Sequence, residues 1–375
     1  MSDPLRIALV VDPLTLSVRG GQHPPRLASE LLGRGHAVRG FGAPPGKIPR
    51  AGADPDEEEN ARGGLVRYSP DVIVAYDALS PAAMLGARAA RRLGAPLVLV
   101  EADPPDGGRS WQRFLWRVGE VFWGRYVRRT AHSVVALDPV ARERAVGEGF
   151  EPERITILPQ GVDLHLFRPG LTSHLVSKHR IRGRILLYVG RLLPERGLET
   201  LIAAFARTVG QRDDWSLVIA GDGPERLALR AMCDRLGVGA RVHWLGRPRR
   251  EELPGLLGSA TLFATPALSD VVLGRNVSRA LAAGLPVLAS DLPRLRFYVE
   301  PGETGLLAPP GDVGAWAEMI RRAAGSPVAR GRWGQNAREA AERDLAWARV
   351  GEAFETLLLD ARQRVTSPEP LRNGA

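Results

Sequence analysis

Short apolar runs alternate with longer amphipathic stretches along the whole chain, a spacing that predicts parallel sheets covered by helices. In the first half, residues 7–11, 37–41, 72–75, 97–100, 134–136 and 155–158 are predicted strands, and 25–32, 81–93, 111–129 and 140–146 are predicted helices. A second series begins near residue 185. Predicted strands at 185–189, 217–220, 242–245, 262–264 and 287–289 alternate with helices such as 198–208 and 225–236. Beyond residue 312 the periodicity turns helical, at 313–324, 329–343 and 346–362.

Between the two series, residues 168–184 contain Pro169 and Gly170 with weak periodicity, the best hinge candidate. The expected fold class is therefore α/β, with two Rossmann-like, doubly wound domains facing a cleft. Residues 1–167 form the first domain and 168–345 the second. Residues 346–364 form a helix packing back toward the first domain, and 365–375 are a frayed tail. The Pro/Gly-rich stretch from Gly42 to Gly64, with its acidic run at 56–59, is predicted to be a mobile surface loop. Open sheets of this kind bind ligands at the carboxyl ends of their strands, which makes the cleft the expected site.

Composition narrows the partners. The chain has 375 residues and a formal charge of +9, from 51 Lys and Arg against 42 Asp and Glu. That surplus favours anionic partners without choosing among them, and a general arginine bias explains it equally well. A single cysteine, Cys233, excludes an intrachain disulfide and a cysteine-rich zinc site, and suits a reducing, cytoplasmic setting. The opening residues read as a buried strand, not a signal peptide. No apolar run approaches membrane-spanning length, so any contact with the inner face of a membrane would be peripheral. The seven histidines are scattered without metal-ligand spacing; no metal and no cofactor are expected.

The segment Leu187-Tyr188-Val189-Gly190-Arg191-Leu192-Leu193-Pro194-Glu195-Arg196-Gly197-Leu198 carries the most chemistry. A buried strand ends at Gly190, and Arg191 and Arg196 follow on a short loop. Two guanidiniums there suit a diphosphate, since each offers paired planar donors to phosphate oxygens. Spacing alone favours two solvated arginines; context changes the weighting. Gly20 and Gly21, just past the first strand, permit close backbone approach to phosphate. Gly221 and Gly223 lack the third glycine of a dinucleotide fingerprint and read as a helix-start turn. The glycines and Lys47 of residues 42–47 are too closely spaced for a phosphate-binding P-loop.

In order along nearly the whole chain, these segments resemble the glycogen-synthase-like glycosyltransferases, in particular family 4 of retaining GT-B enzymes. The resemblance rests on Arg19-Gly20-Gly21, on Gly33-Arg34-Gly35-His36, on Pro159-Gln160-Gly161-Val162-Asp163, on Gly190-Arg191 with Arg196-Gly197, and on Ala220-Gly221-Asp222-Gly223-Pro224. It continues through Ala280-Leu281-Ala282-Ala283-Gly284-Leu285-Pro286-Val287 and Gly302-Glu303-Thr304-Gly305 to Pro309-Pro310-Gly311-Asp312. The likeness implies transfer of a sugar from a nucleoside-diphosphate donor to an acceptor. Arg191 and Arg196 would stabilise the leaving diphosphate and Asp270 would position the sugar. Gly20, Gly21, Gly190, Gly274, Arg275 and Arg279 would form the rest of the donor side, and Glu101 and Asp103 are acceptor-side candidates. The acceptor class (small molecule, glycan or lipid-linked) stays open, and no nucleic acid is expected.

The family pattern also breaks. Two glutamates, one holding donor-sugar hydroxyls and one the ribose, normally precede the Ala-Gly-Pro signature; here Val271 and Arg279 stand there. A guanidinium only donates and offers a ribose diol no acceptor. Arg275 and Arg279 share one helix face, which suits either a more anionic donor or a degenerate site on a retained scaffold. The alternative function is thus a non-catalytic binding or partner subunit. The basic-aromatic stretch 111–129 likewise reads two ways, as an interfacial membrane helix or, preferably, as a helix packing its apolar side into the core.

Overall fold

The computed structural model describes residues 3–12, 23–42, 61–101, 120–209, 214–270 and 274–366. The chain forms two compact units, one of Met1–Gln160 with Trp347–Ala375, the other of Gly161–Ala346.

The first unit holds strands β1 (Arg6–Val10), β2 (Ala37–Phe41), β3 (Val72–Tyr76), β4 (Leu97–Glu101), β5 (Ala131–Ala136) and β6 (Ile155–Ile157). They form one parallel sheet in the order β2-β1-β3-β4-β5-β6. Every residue of β3 and β4 is buried, as expected of central parallel strands covered on both faces. The helices α1 (His23–Gly33), α2 (Ala61–Tyr68), α3 (Pro81–Leu93), α4 (Arg125–Thr130) and α5 (Pro139–Gly147) connect them. Helix α3 starts and stops on local chemistry. Ser80 accepts from the Ala83 N–H, Pro81 supplies a preset φ, and Gly94 ends the helix at φ 64°. The chain's last helix, Trp347–Thr366, lays Trp347, Val350, Phe354, Leu358 and Ala361 against Leu5, Leu27 and Leu31 of the first unit. This spacing is one helical face. His36 fixes the same contact: its Nδ1 accepts from the Leu5 N–H at 3.1 Å and its Nε2 faces Glu355 at 3.0 Å.

The second unit holds β7 (Arg184–Val189), β8 (Trp215–Ala220), β9 (Val242–Trp244), β10 (Leu262–Thr265), β11 (Val287–Ser290) and β12 (Gly305–Ala308). Its parallel sheet runs β12-β11-β10-β7-β8-β9. Helices α6 (His174–Lys178), α7 (Leu198–Ala206), α8 (Arg226–Arg235), α9 (Leu253–Gly258), α10 (Gly274–Ala282), α11 (Pro293–Arg296), α12 (Val313–Gly325) and α13 (Pro327–Ala340) complete it. After β9 the chain returns to the other side of β7, so the order reverses between β7 and β10, the topological switch point where such sheets bind ligands.

Several expectations need correction. The unit boundary falls at residue 160, not 167, because Val162 and Phe167 are buried in the second unit's core and Val162 donates to the Leu345 carbonyl at 2.7 Å. The hinge candidate 168–184 belongs wholly to that unit and contains α6. Helix α2 covers 61–64, which the loop prediction had included, while residues 43–60 lie outside the described residues. Strand β12 escaped the sequence reading because four residues between Gly302 and Pro309 carry no periodicity; pairing with β11 makes it a strand. Of the predicted helix at 111–129, the described part begins with a π-type turn, Glu120–Gly124, leading into α4.

Candidate active site

At the switch point of the second unit lies a cavity of about 550 Å³, lined by the carboxyl ends of β7, β8 and β10, by the turn after β9 and by the start of α10. Arg191 and Arg196 both line it, joined by Arg247 and Arg275; Asp222 is the single carboxylate among the lining residues. Four guanidiniums against one carboxylate make it strongly electropositive. Asp222 itself lies 3.5 Å from Arg226, which further reduces the negative charge it presents.

The loop carrying Arg191 and Arg196 is strapped to both neighbours. Gly190 N–H donates to the Ala220 carbonyl at 3.1 Å and Leu192 N–H to the Asp222 carbonyl at 3.0 Å, while Leu268 N–H reaches the Glu195 carbonyl at 2.9 Å. Two glycines make that closeness possible. A side chain at Gly221 would overlap the Gly190 carbonyl oxygen, and one at Gly223 would overlap the Leu192 carbonyl oxygen. At Gly197, φ is 65° and a side chain would meet the Pro266 carbonyl. Beneath the loop the Tyr188 hydroxyl donates to the Arg191 carbonyl at 2.8 Å, and burial raises its pKa. These bonds fix the loop backbone that carries both arginines, which limits the reorganisation required when charge arrives, a condition that favours electrostatic stabilisation.

Helix α10 closes the opposite wall. Asn276 donates its amide N–H to the Val189 carbonyl at 2.9 Å, anchoring the helix start over the end of β7. Arg275, on the first turn, lines the cavity. Arg279, one turn on, does not: its guanidinium sits 5.2 Å from the centroid of the Phe167 ring and donates to Asn276 Oδ1 at 3.3 Å. Burial first, then Arg275 and Arg250, lower its pKa to about 10, so it stays charged at neutral pH. Gly274 packs against Tyr298, whose hydroxyl a Cβ there would meet at 2.6 Å.

The remaining predicted residues lie elsewhere. Asp270 is outside the cavity lining; its carboxylate accepts from the Arg294 N–H at 3.1 Å, which caps α11. Glu101, in the first unit, is buried at the end of β4, accepts from the Ala78 N–H at 3.0 Å and lies 3.6 Å from Arg144. Gly20, Gly21, Asp103 and Val271 fall outside the described residues. Sequence reasoning missed Arg247, Asn276 and Thr265 as lining residues. Arg247, in a Gly-Arg-Pro turn just past a strand, carried the same strand-end signal as Arg191. Among the described residues no cluster of three or more histidine, cysteine or acidic side chains could hold a metal, and no helix is long and apolar enough to cross a membrane.

Comparison with known proteins matches both halves of the chain. The glycosyl transferase 4-like domain model covers residues 8–161 and the glycosyl transferases group 1 model covers 175–340. A D-inositol 3-phosphate glycosyltransferase of Corynebacterium glutamicum is 31% identical over 222 residues, 56% of this chain and 53% of that protein. That of Mycobacterium tuberculosis strain F11 is 32% identical over 195 residues, 50% of this chain and 39% of that protein. The chain thus spans about half the length, or less, of these curated relatives. Anabaena HepE, solved with UDP, superposes with a TM-score of 0.74 at 20% identity, over 95% of this chain and 100% of that one. Sucrose-phosphate synthase from Thermosynechococcus elongatus gives 0.70 at 22%, over 94% and 98%. Likeness at that level of identity shows the shared GT-B fold. With both halves matched in order and the two doubly wound units in place, the chain belongs to the family 4 type of GT-B glycosyltransferases.

Proposed function

We propose that the protein is a retaining glycosyltransferase that takes a sugar from a nucleoside-diphosphate donor. The observation that carries this reading is the convergence of Arg191 and Arg196 on one strapped, electropositive cavity at the switch point of the second unit. As the bond from the sugar's anomeric carbon to the diphosphate breaks, negative charge grows on the departing oxygen. The two guanidiniums stabilise that charge more in the transition state than in the bound donor. The acceptor hydroxyl attacks the face the diphosphate leaves, forms the new bond to the anomeric carbon, and passes its proton to the departing phosphate oxygen. No protein nucleophile and no metal enter this scheme. The names of the relatives support it, as does the presence of UDP in HepE; a uridine diphosphate donor is the first to test.

Donor hydrolysis and transfer across a panel of nucleotide sugars is the test. One donor is expected to turn over, with Arg191→Ala losing roughly a hundredfold to a thousandfold in kcat, the cost of removing one fixed charge-stabilising donor. Absence of binding by any nucleotide or nucleotide sugar would refute the reading and leave a partner subunit on a transferase scaffold.

A further inference from the structure

The apolar side of the segment 122–130 is committed inward. Trp123 packs on the first unit's core and donates its indole N–H to the Leu79 carbonyl at 3.2 Å, and Val127 is fully buried. Phe122 is the exception, 74% exposed. One turn beyond it, Arg125 and Arg129 project from α4 four residues apart, and α4 packs against α3. On α3, Arg88, Arg91 and Arg92 share a face at i, i+3 and i+4, and the Arg91 guanidinium lies 5.7 Å from the centroid of the Tyr126 ring, which joins the two faces. All five arginines are exposed. Some exposed arginines elsewhere, such as Arg184, Arg321 and Arg349, sit within reach of a carboxylate, while Arg207, Arg235 and Arg322 stand singly on separate helices or turns. None of these five has an ion-pair partner among the described residues, and neither α3 nor α4 contains an acidic residue.

We infer that this face of the first unit docks on an anionic lipid surface. Five unpaired guanidiniums spread over two helices match a diffuse field of headgroup charge, which imposes no fixed pairing geometry. The neighbouring exposed ring gives the apolar contact that charge alone lacks, inserting among the acyl chains while the arginines stay at headgroup level. A nucleic acid or acidic protein would satisfy the charge but leaves Phe122 without a role. This surface is distinct from the donor cavity, and the inference does not depend on the activity proposed above.

Vesicle flotation of the full chain tests it, with phosphatidylcholine vesicles compared with vesicles containing about 30% phosphatidylglycerol. Binding is expected on the anionic vesicles only and is expected to weaken as salt rises. The triple variant Arg88→Gln, Arg91→Gln, Arg92→Gln should bind roughly a hundredfold less, about fivefold per arginine, while staying folded by circular dichroism and melting no more than a few degrees lower for loss of the Arg91–Tyr126 contact. Phe122→Ser, which leaves the charge alone, should lose roughly tenfold. The triple variant Arg207→Gln, Arg235→Gln, Arg322→Gln, with the same change in net charge on exposed sites of the other unit, should bind like the parent. Equal loss in both triple variants would reduce the effect to net charge and overturn the inference. So would absence of anionic-vesicle binding, or loss of binding to RNA or DNA in the α3 variant with vesicle binding intact.

Discussion

Asp270 and Arg294 hold each other by two hydrogen bonds: the Asp270 carboxylate accepts from the Arg294 N–H at 3.1 Å, and the Arg294 guanidinium donates to the Asp270 carbonyl at 3.0 Å. Arg294 is almost fully buried. The pair ties the loop after β10 to the start of α11, and this engages the carboxylate that the sequence suggested for positioning the sugar. Asp270→Ala is therefore expected to lower stability by about 1–2 kcal/mol, the cost of a lost cap and an exposed backbone donor, while changing kcat by less than about threefold. Chemical denaturation and steady-state kinetics on the same variant check both. A loss of kcat with stability intact would return Asp270 to the chemistry.

Gly221 lies where the turn after β8 meets the end of β7, and any Cβ there would overlap the Gly190 carbonyl oxygen. Because the obstruction is backbone, no rotamer relieves it. Gly221→Ala should destabilise the second unit by about 1–3 kcal/mol and weaken binding of the diphosphate, since the loop holding Arg191 must move. Calorimetric unfolding and titration with UDP are the measurements. A variant with parental stability and affinity would show that the close approach is not needed.

Arg279 faces Phe167 and Asn276, not the cavity. It therefore occupies the place of the family's ribose-binding glutamate without contributing a contact to the cavity wall. Arg279→Glu restores an acceptor and removes one of two neighbouring half-buried cations. Binding of uridine or guanosine diphosphate should improve about tenfold, equivalent to one charge-assisted hydrogen bond of about 1.5 kcal/mol. Weaker binding together with lost turnover would instead make Arg279 a reader of the donor.

Glu101 gives a pH signature. Burial first, then Asp77 and Glu148, raise its pKa from 4.5 to about 8 against the opposing pull of Arg144 and the Ala78 N–H. Between those values the folded chain keeps a proton that the unfolded chain releases. Stability supplied by this group is thus present below about pH 4.5 and falls as pH rises to about 8. Glu101→Gln, which resembles the protonated acid, should flatten the decline and raise stability near pH 8, by an amount on the order of a few kcal/mol. Urea midpoints measured across that range will show whether parent and variant converge at low pH, as required.

The alternation of apolar runs and amphipathic stretches was enough to specify two parallel α/β sheets, because burial on both faces demands continuous apolar strands with helices between them. The strand-end position of Arg191 and Arg196 was legible for the same reason: a loop leaving a parallel strand emerges at the sheet's binding edge. Local sequence did not reveal which side chains meet. Arg275 reaches the cavity and Arg279, one turn away, turns to an aromatic ring; Asp270 is drawn off to cap a helix 24 residues later. Those outcomes depend on packing between segments distant in sequence, where a few ångströms and one competing hydrogen bond decide the direction of a side chain. The unit boundary is similar: the proline and glycine at 169–170 suggested a hinge, but the burial of Phe167 and the bond from Val162 to Leu345 place the division earlier.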